Sequence, residues 1–468
     1  MLHVIRRIER RFGTGSAPGR LVAGVLLGLC ALLLFGIALL WSQSAQAQQA
    51  QDPAAVATRL LDHMAAGRYD DAEAMFTPEM AQAVPVARLK QVWESIPAQA
   101  GAAGARGDAT VEPQQDADLV TVPLHYEKAE LVAKIAVTGD GRVSGFLVQP
   151  ATQPVAEMPV PEDAPYIERE LEVGEGERAL PGTLAMPKGA GQAPDEPVPA
   201  VVLVHGSGPH DRDETIGPNK PFLDIARGLA EHGIAVLRYE KRSRARPQDF
   251  AGRAFTIDEE ITDDATAAVT ALRGMEGVDP QRVFVFGHSQ GGMLAPRIAH
   301  QAGGVAGLVL LAAPARPLLD ILVEQNIRLA VLDDAKTSDA ERAAIEKLKM
   351  QVRAVRGNAG ASAEDLPLGL PAAYWRSTDV LDPVAEAQAA DLPMLILQGT
   401  RDIQVVDADW QRWKRGLHGD EGVTFKLYDG LNHLGIAGEG EGSLAEYMRA
   451  GHVDARLIED IAAWIETH

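Results

Sequence analysis

The spacing of apolar and polar positions divides the chain into stretches with different periods. Residues 1–20 hold five arginines, and Leu21 to Trp41 forms an unbroken apolar run. From Ala54 to about Ile96 apolar residues recur at helical spacing, as Val56, Leu60, Leu61 and Met64, then Ala72, Met75, Phe76 and Met80. Gly67 and the Thr77-Pro78 pair punctuate these helices. A Gly/Ala-rich link follows, and the period then changes to two. Leu119, Val120, Val122 and Leu124 mark one strand over 118–125, and Leu131, Ala133, Ile135 and Val137 a second over 131–137. Gly139-Asp140-Gly141-Arg142 supplies a hairpin turn into a third strand from Val143 to Val148. Helices followed by antiparallel strands predict a small α+β domain over 48–150.

A proline-rich linker at 151–165 holds Pro154, Pro159, Pro161 and Pro165. Beyond it, over 166–468, strands alternate with helices. The predicted strands are Glu168–Val173, Leu180–Met186, Ala200–Val204, Ala235–Tyr239, Val283–Phe286, Leu308–Ala312, Met394–Gln398 and Thr424–Leu427. Amphipathic helices fall at 221–232, 258–273, 290–301 and 452–466. Runs such as Val201-Val202-Leu203-Val204 and Leu308-Val309-Leu310-Leu311 are apolar at every position. A strand of that kind is buried on both faces, which predicts a mostly parallel, doubly wound α/β sheet covered by helices. Some 80 residues of helical pattern separate the strands near 310 and 395, too many for one crossover. They predict a helical insertion at 317–381, over the carboxyl edge of the sheet.

Charge narrows the partners. The chain carries a formal net charge of −21; without residues 1–47 it keeps 39 basic against 64 acidic side chains, a net of −25. Such a balance excludes nucleic acid and an anionic membrane surface as binding partners. The one cysteine, Cys30, lies inside the apolar run, so no cysteine nucleophile, cysteine metal site or intrachain disulfide is available downstream. Twenty-one apolar residues at 1.5 Å each span roughly 31 Å, enough to cross a bilayer. The arginines precede the run and no basic residue follows until Arg59, an asymmetry that places the rest of the chain outside the cytoplasm. Ala45-Gln46-Ala47 is a small-x-small cleavage site. Residues 1–47 are thus read as a signal peptide or an inner-membrane anchor, with cleavage favoured, and the protein as periplasmic or secreted.

Gly287-His288-Ser289-Gln290-Gly291 carries the chemistry. It follows the strand Val283–Phe286 and opens a helix, the context in which a serine hydroxyl is held at the top of a sheet and glycines admit close backbone approach. The nucleophile needs a base, and the base an orienting carboxylate, in the chain order Ser, acid, His. Asp402 stands just past the strand Met394–Gln398, and His433 just past Thr424–Leu427. The competitors fit less well. Asp407 and Asp409 read as the opening of a helix, His418 lies before a strand, His452 begins the terminal helix, and His288 should point away from its neighbour Ser289. The oxyanion donors are assigned to the backbone N–H of Gln290 and, from the loop after an earlier strand, of Ser207 within His205-Gly206-Ser207-Gly208. The loop continues through His210, Asp211, Arg212, Asp213 and Glu214. These match no metal-ligand spacing, and no metal or cofactor is assigned. Arg238-Tyr239-Glu240-Lys241-Arg242 ends the next strand; it is read as pairing with the acidic loop, with a role in holding a polar substrate left open.

Taken together, His205-Gly206-Ser207-Gly208-Pro209, Asp211-Arg212-Asp213-Glu214, Asn219-Lys220-Pro221-Phe222, Arg238-Tyr239, the Gly287–Gly291 motif, Asp402 and Asn432-His433 resemble bacterial α/β hydrolases of the thermophile esterase D type, over roughly 165–468. The resemblance implies an α/β-hydrolase fold with a helical cap, and hydrolysis of carboxylic esters of short acyl chains through an acyl-serine, without a cofactor. Two positions depart from it: Glu240 stands where aspartate is usual, and Ser243 where glycine is expected. Residues 48–150 resemble, by pattern alone, the small nuclear-transport-factor-2-like domains that precede some hydrolases. A small-molecule ester is therefore the expected partner. A serine peptidase or acyltransferase using the same triad, and a non-catalytic envelope binding protein, are the competing readings. Tyr374 and Trp375 of the insertion are candidates to line the pocket, against a plain core role.

Overall fold

The computed structural model describes residues 52–113, 117–127, 130–150, 158–190, 197–332, 337, 339–357 and 365–468. The apolar run at 21–41 and the cleavage site at 45–47 lie outside them. Among the described residues no helix is long and apolar enough to cross a membrane. The chain forms two compact units, divided at Thr152 and Gln153.

Among the described residues of the first unit four helices, α1 (Pro53–Ala65), α2 (Tyr69–Glu73), α3 (Pro78–Ala83) and α4 (Val86–Ala100), precede five strands. The Asp52 carboxylate caps α1 by accepting from the Ala54 N–H, and the Thr77 hydroxyl oxygen caps α3 by accepting from Met80. The strands are β1 (Ala103–Arg106), β2 (Thr110–Pro113), β3 (Asp118–Tyr126), β4 (Glu130–Val137) and β5 (Val143–Pro150). β3, β4 and β5 form an antiparallel meander, and β1 and β2 both pair with β3. β1 and β2 fall in the stretch read from the sequence as a mere link. They are exposed almost throughout, so no burial alternation marks them; the open edge of β3 makes them strands. Val56, Leu60, Leu61, Val120, Val122, Ala133 and Ile135 build the core.

The second unit holds β6 (Tyr166–Val173), β7 (Leu180–Pro187), β8 (Val198–Val204), α5 (Pro221–Glu231), β9 (Ala235–Tyr239), α6 (Arg242–Ala245), a π-helical turn (Asp258–Thr262), α7 (Asp263–Arg273), β10 (Val278–His288), α8 (Gln290–Ala302) and β11 (Leu308–Leu311). Then come α9 (Leu318–Leu332), α10 (Asp339–Arg356), α11 (Ala372–Asp379), α12 (Pro383–Ala390), β12 (Met394–Gly399), α13 (Asp407–Gly416), β13 (Val423–Tyr428) and α14 (Ala455–Glu466). The sheet runs β13-β12-β11-β10-β8-β9-β7-β6. β8 to β13 are mutually parallel, and β7 runs against both of its neighbours.

Successive residues of a strand face opposite ways, so a central parallel strand must be apolar at every position. Val202, Val204, Val285, Leu310 and Ile396 face one core with α7 and α8. Val201, Leu203, Phe284, Phe286, Val309, Leu395 and Leu397 face the other with α5 and α14. The insertion between β11 and β12 is helical, as its pattern predicts, and comprises α9 to α11. Part of the proline-rich stretch is not a free linker: Ala164 is buried with Tyr166, Ala185 and Ala230, and the Arg227 guanidinium donates to the carbonyl of Met158. Two of those partners, Arg227 and Ala230, lie more than 60 positions away, which a composition reading does not see. The predicted helix 452–466 starts only at Ala455, where Asp454 caps it.

Candidate active site

The parallel strands end level with one another. Gly287 of β10 pairs with Val204 of β8, His288 with Leu311 of β11, and Gly399 of β12 with Tyr428 of β13. The loops carrying Ser207, Ser289, Asp402 and His433 therefore leave the same edge of the sheet.

Ser289 occupies the turn between β10 and α8 with φ 51° and ψ −119°. A non-glycine residue held in such a region costs about 1–3 kcal/mol and persists only where its surroundings impose it. They do here. A Cβ added to Gly287 would meet the backbone of Gly291, and one on Gly291 the Val204 and His205 carbonyls. These glycines let β8, the turn and α8 close on one another around the serine. A Cβ at Gly206 would lie 3.2 Å from that of Ser289, which places the Gly206-Ser207 loop directly beside the serine.

Asp402 and His433 are brought together. His433 Nδ1 lies 2.8 Å from Asp402 Oδ2, with both side chains buried. Asp402 accepts three further hydrogen bonds, from Gln404 N–H (2.8 Å), Val405 N–H (3.0 Å) and Gln398 Nε2 (3.1 Å). A carboxylate so surrounded by donors acts as acceptor alone, so His433 Nδ1 is the donor of that pair. Nε2 then carries the ring's free lone pair, the form a general base needs. Asn432 fixes the His433 loop, its Oδ1 accepting from the N–H groups of Leu434 (3.0 Å) and Ile436 (3.1 Å). The Arg401 N–H donates to the Leu431 carbonyl, tying the two loops together.

The assigned oxyanion donors lie on either side of the serine. Gln290 is the first residue of α8, where an N–H has no intrahelical acceptor. The Ser207 N–H has no acceptor among the described residues, although the groups around it are tied. Gly206 N–H donates to Glu214 Oε1 (2.6 Å), Lys241 Nζ donates to the Gly206 carbonyl (2.9 Å), and His210 Nε2 donates to the Ser207 carbonyl (2.7 Å).

Sequence reasoning missed the buried charges beneath this surface. Glu214 read as one of several acids in a polar loop, but it is buried at φ 50°. Its Oε2 lies 2.8 Å from His288 Nδ1, and His288 Nε2 lies 2.9 Å from the His433 carbonyl. Both partners of the imidazole accept, so both ring nitrogens donate and His288 is an imidazolium. Burial opposes its charge, but the Glu214 carboxylate and the His433 carbonyl together raise its pKa. Burial likewise opposes ionisation of Glu214, and the His288 charge outweighs it, bringing the carboxyl down to about 2. His205 is neutral, burial lowering its pKa to about 3. The pair thus joins the Gly206 loop, the serine turn and the His433 loop. The expectation that His288 points away from Ser289 is met, and its destination is this pair.

Other charges of the loop and of the β9 end pair with one another or with nearby acids. Asp213 pairs with Arg238 and Lys220, and Arg212 with Glu240 and Glu170, the mutual pairing read from the sequence. Arg242 turns instead to Asp264 and Asp249. No group of residues suited to a metal ion occurs among the described residues. Asp407 and Asp409 do open α13, and Asp409 is also fully buried, accepting from the Ala315 N–H and pairing with Arg316 at the base of the insertion. Tyr374 and Trp375 are both buried in the core; the Tyr374 hydroxyl oxygen also accepts from Gln290 Nε2 at 3.0 Å.

Comparison with known proteins follows the same division. Residues 57–146 match a family described only as a protein of unknown function. Across both units the chain is 36% identical over 408 residues to Esterase EstD of Thermotoga maritima, covering 86% of this chain and 93% of that protein. Among solved structures, a Pyrococcus furiosus esterase superposes with a TM-score of 0.43 at 14% identity, over 67% of this chain and 95% of its own. A puromycin-hydrolyzing peptidase of Mycobacterium tuberculosis gives 0.44 at 18% identity, over 77% and 52%. The segment from the β8 approach to just past His433, residues 195–439, matches the family described as serine aminopeptidase, S33, and this chain belongs to that family.

Proposed function

We propose that this protein is an exported carboxylesterase that hydrolyses short-chain esters through an acyl-serine at Ser289. One observation carries the reading. A serine held at φ 51° between a parallel strand and a helix shares a sheet edge with a buried His433–Asp402 pair whose free nitrogen is Nε2. His433 Nε2 takes the Ser289 proton as Oγ attacks the ester carbonyl, and Asp402 stabilises the imidazolium that forms. The N–H groups of Ser207 and Gln290 hold the developing oxyanion. The same imidazole protonates the leaving alcohol, and water repeats the sequence on the acyl-enzyme. No step requires a cofactor. The relative named an esterase supports ester cleavage, and the arginine-flanked apolar run supports export, with residues 1–47 as leader.

A fluorophosphonate probe should label the wild-type protein and leave Ser289→Ala unlabelled; an unlabelled wild type sinks the catalytic reading. Turnover of p-nitrophenyl esters of increasing chain length, beside aminoacyl amides, tests the substrate class. Short esters should be cleaved fastest, and faster amide cleavage makes the protein a peptidase. Fractionation of cells with N-terminal sequencing of the product tests export, which a cytoplasmic pool starting at Met1 contradicts.

A further inference from the structure

Lys241 is the only fully buried lysine among the described residues, at 2% exposure. A buried ammonium is costly unless it is paired and hydrogen-bonded. Its Nζ lies 3.2 Å from Glu260 Oε1 and donates 2.9 Å to the Gly206 carbonyl. That carbonyl and the Ser207 N–H are two ends of one planar peptide unit. Whatever holds the oxygen therefore fixes the direction of the N–H. A positive charge at the oxygen also polarises the amide and makes the N–H a stronger donor.

The same cluster reaches the second donor. The Gln290 side-chain amide donates 3.0 Å to the Tyr374 hydroxyl. Burial, and then the nearby Glu260 charge, hold that phenol well above its ordinary pKa, so it stays neutral. Glu260 stands in the π-helical turn Asp258–Thr262, an insertion that recurs at functional sites. It thus lies close to Lys241 on one side and to Tyr374 on the other. Among the described residues, two buried acceptor atoms of this cluster, Glu260 Oε2 and Gln290 Oε1, have no hydrogen-bond partner.

We propose that Lys241 is a positioning residue of the oxyanion site: with Glu260 and Tyr374 it braces the Gly206-Ser207 peptide and Gln290 so that both N–H groups meet one oxygen. The proposal rests on the reading of Ser207 and Gln290 as the oxyanion donors. It assigns the Lys241 charge to the transition state rather than to substrate binding.

Lys241→Met, Lys241→Arg and Tyr374→Phe are compared for kcat and KM on p-nitrophenyl acetate, and for inhibition by a short trifluoromethyl ketone. That ketone forms an oxyanion on the serine. Losing a direct oxyanion donor costs about 10²–10³ in kcat, so loss of its brace is expected to cost roughly 30-fold in Lys241→Met. KM should stay within about threefold, and ketone affinity should fall by the same factor as kcat/KM. Lys241→Arg should restore most of the loss, and Tyr374→Phe should lose about fivefold in both measures. Unchanged kcat/KM in Lys241→Met, or a loss with ketone affinity intact, overturns the brace. If Lys241→Met does not fold, Lys241→Gln and Tyr374→Phe carry the comparison, and wild-type ketone affinity in both overturns it. The underlying reading fails separately: a wild type that neither binds the ketone nor takes a fluorophosphonate loses the donor assignment itself.

Discussion

The two units of this chain differ in what they bury. In the first, the core is wholly apolar among the described residues, and charges meet at the surface, as between Arg106 and Asp62. Among the described residues of the second, eighteen polar or charged side chains are buried, from Thr183 to His433. Burying a charge costs several kcal/mol before pairing offsets it. Among the described residues the second unit does so repeatedly and the first does not.

Six substitutions test that contrast, taken from the largest effect to the smallest. Ser289→Ala or His433→Ala should lower kcat by roughly 10⁴–10⁶, and Asp402→Asn by about 10⁴, with urea unfolding midpoints of the serine variant at the wild-type value. A midpoint that drops with activity would make the site a fold element first. Glu214→Gln leaves an unpaired imidazolium in the interior and should cost about 3 kcal/mol in unfolding free energy. That difference depends on pH. Glu214 is lowered from 4.5 to about 2, so its share is complete above pH 4.5 and vanishes as pH falls through about 2. His288 is raised from 6.5, so its share is complete below pH 6.5 and is lost as pH rises through the raised value. The gap between wild type and Glu214→Gln should therefore be widest from pH 4.5 to 6.5 and should narrow on both sides.

Leu60→Ala in the first unit should also cost about 3 kcal/mol, as a cavity does, but with no pH dependence over the same range. Two variants of similar size and opposite pH behaviour would sharpen the comparison; parallel pH profiles would break it. Arg106→Ala should cost only about 0.5 kcal/mol, because the Asp62 partner is more than half exposed and screened. A loss of several kcal/mol there would show that the first unit also depends on charge.

Much of the second unit is legible in the chain because its signals are local. Apolar runs mark the parallel strands, five residues around Ser289 mark the turn, and Asp402 and His433 each follow a strand at short range. The Glu214–His288 pair was not legible, because its members lie 74 residues apart and Glu214 sits among other acids. Lys241 read as one of three consecutive charges after β9, and only the folded chain separates it from Arg242. The strands β1 and β2 escaped for the opposite reason: lying exposed, they carry no pattern that burial would impose. What the sequence leaves unread is what long-range contact decides.

The left-handed backbone at Ser289 has a consequence for anyone evolving this protein. Glycine adopts φ 51° freely, so a Ser289→Gly chain should fold more stably than the active one while catalysing nothing. A selection scored on heat resistance or soluble yield alone would drift toward that inactive glycine. Thermostable variants must therefore be chosen by turnover at every round.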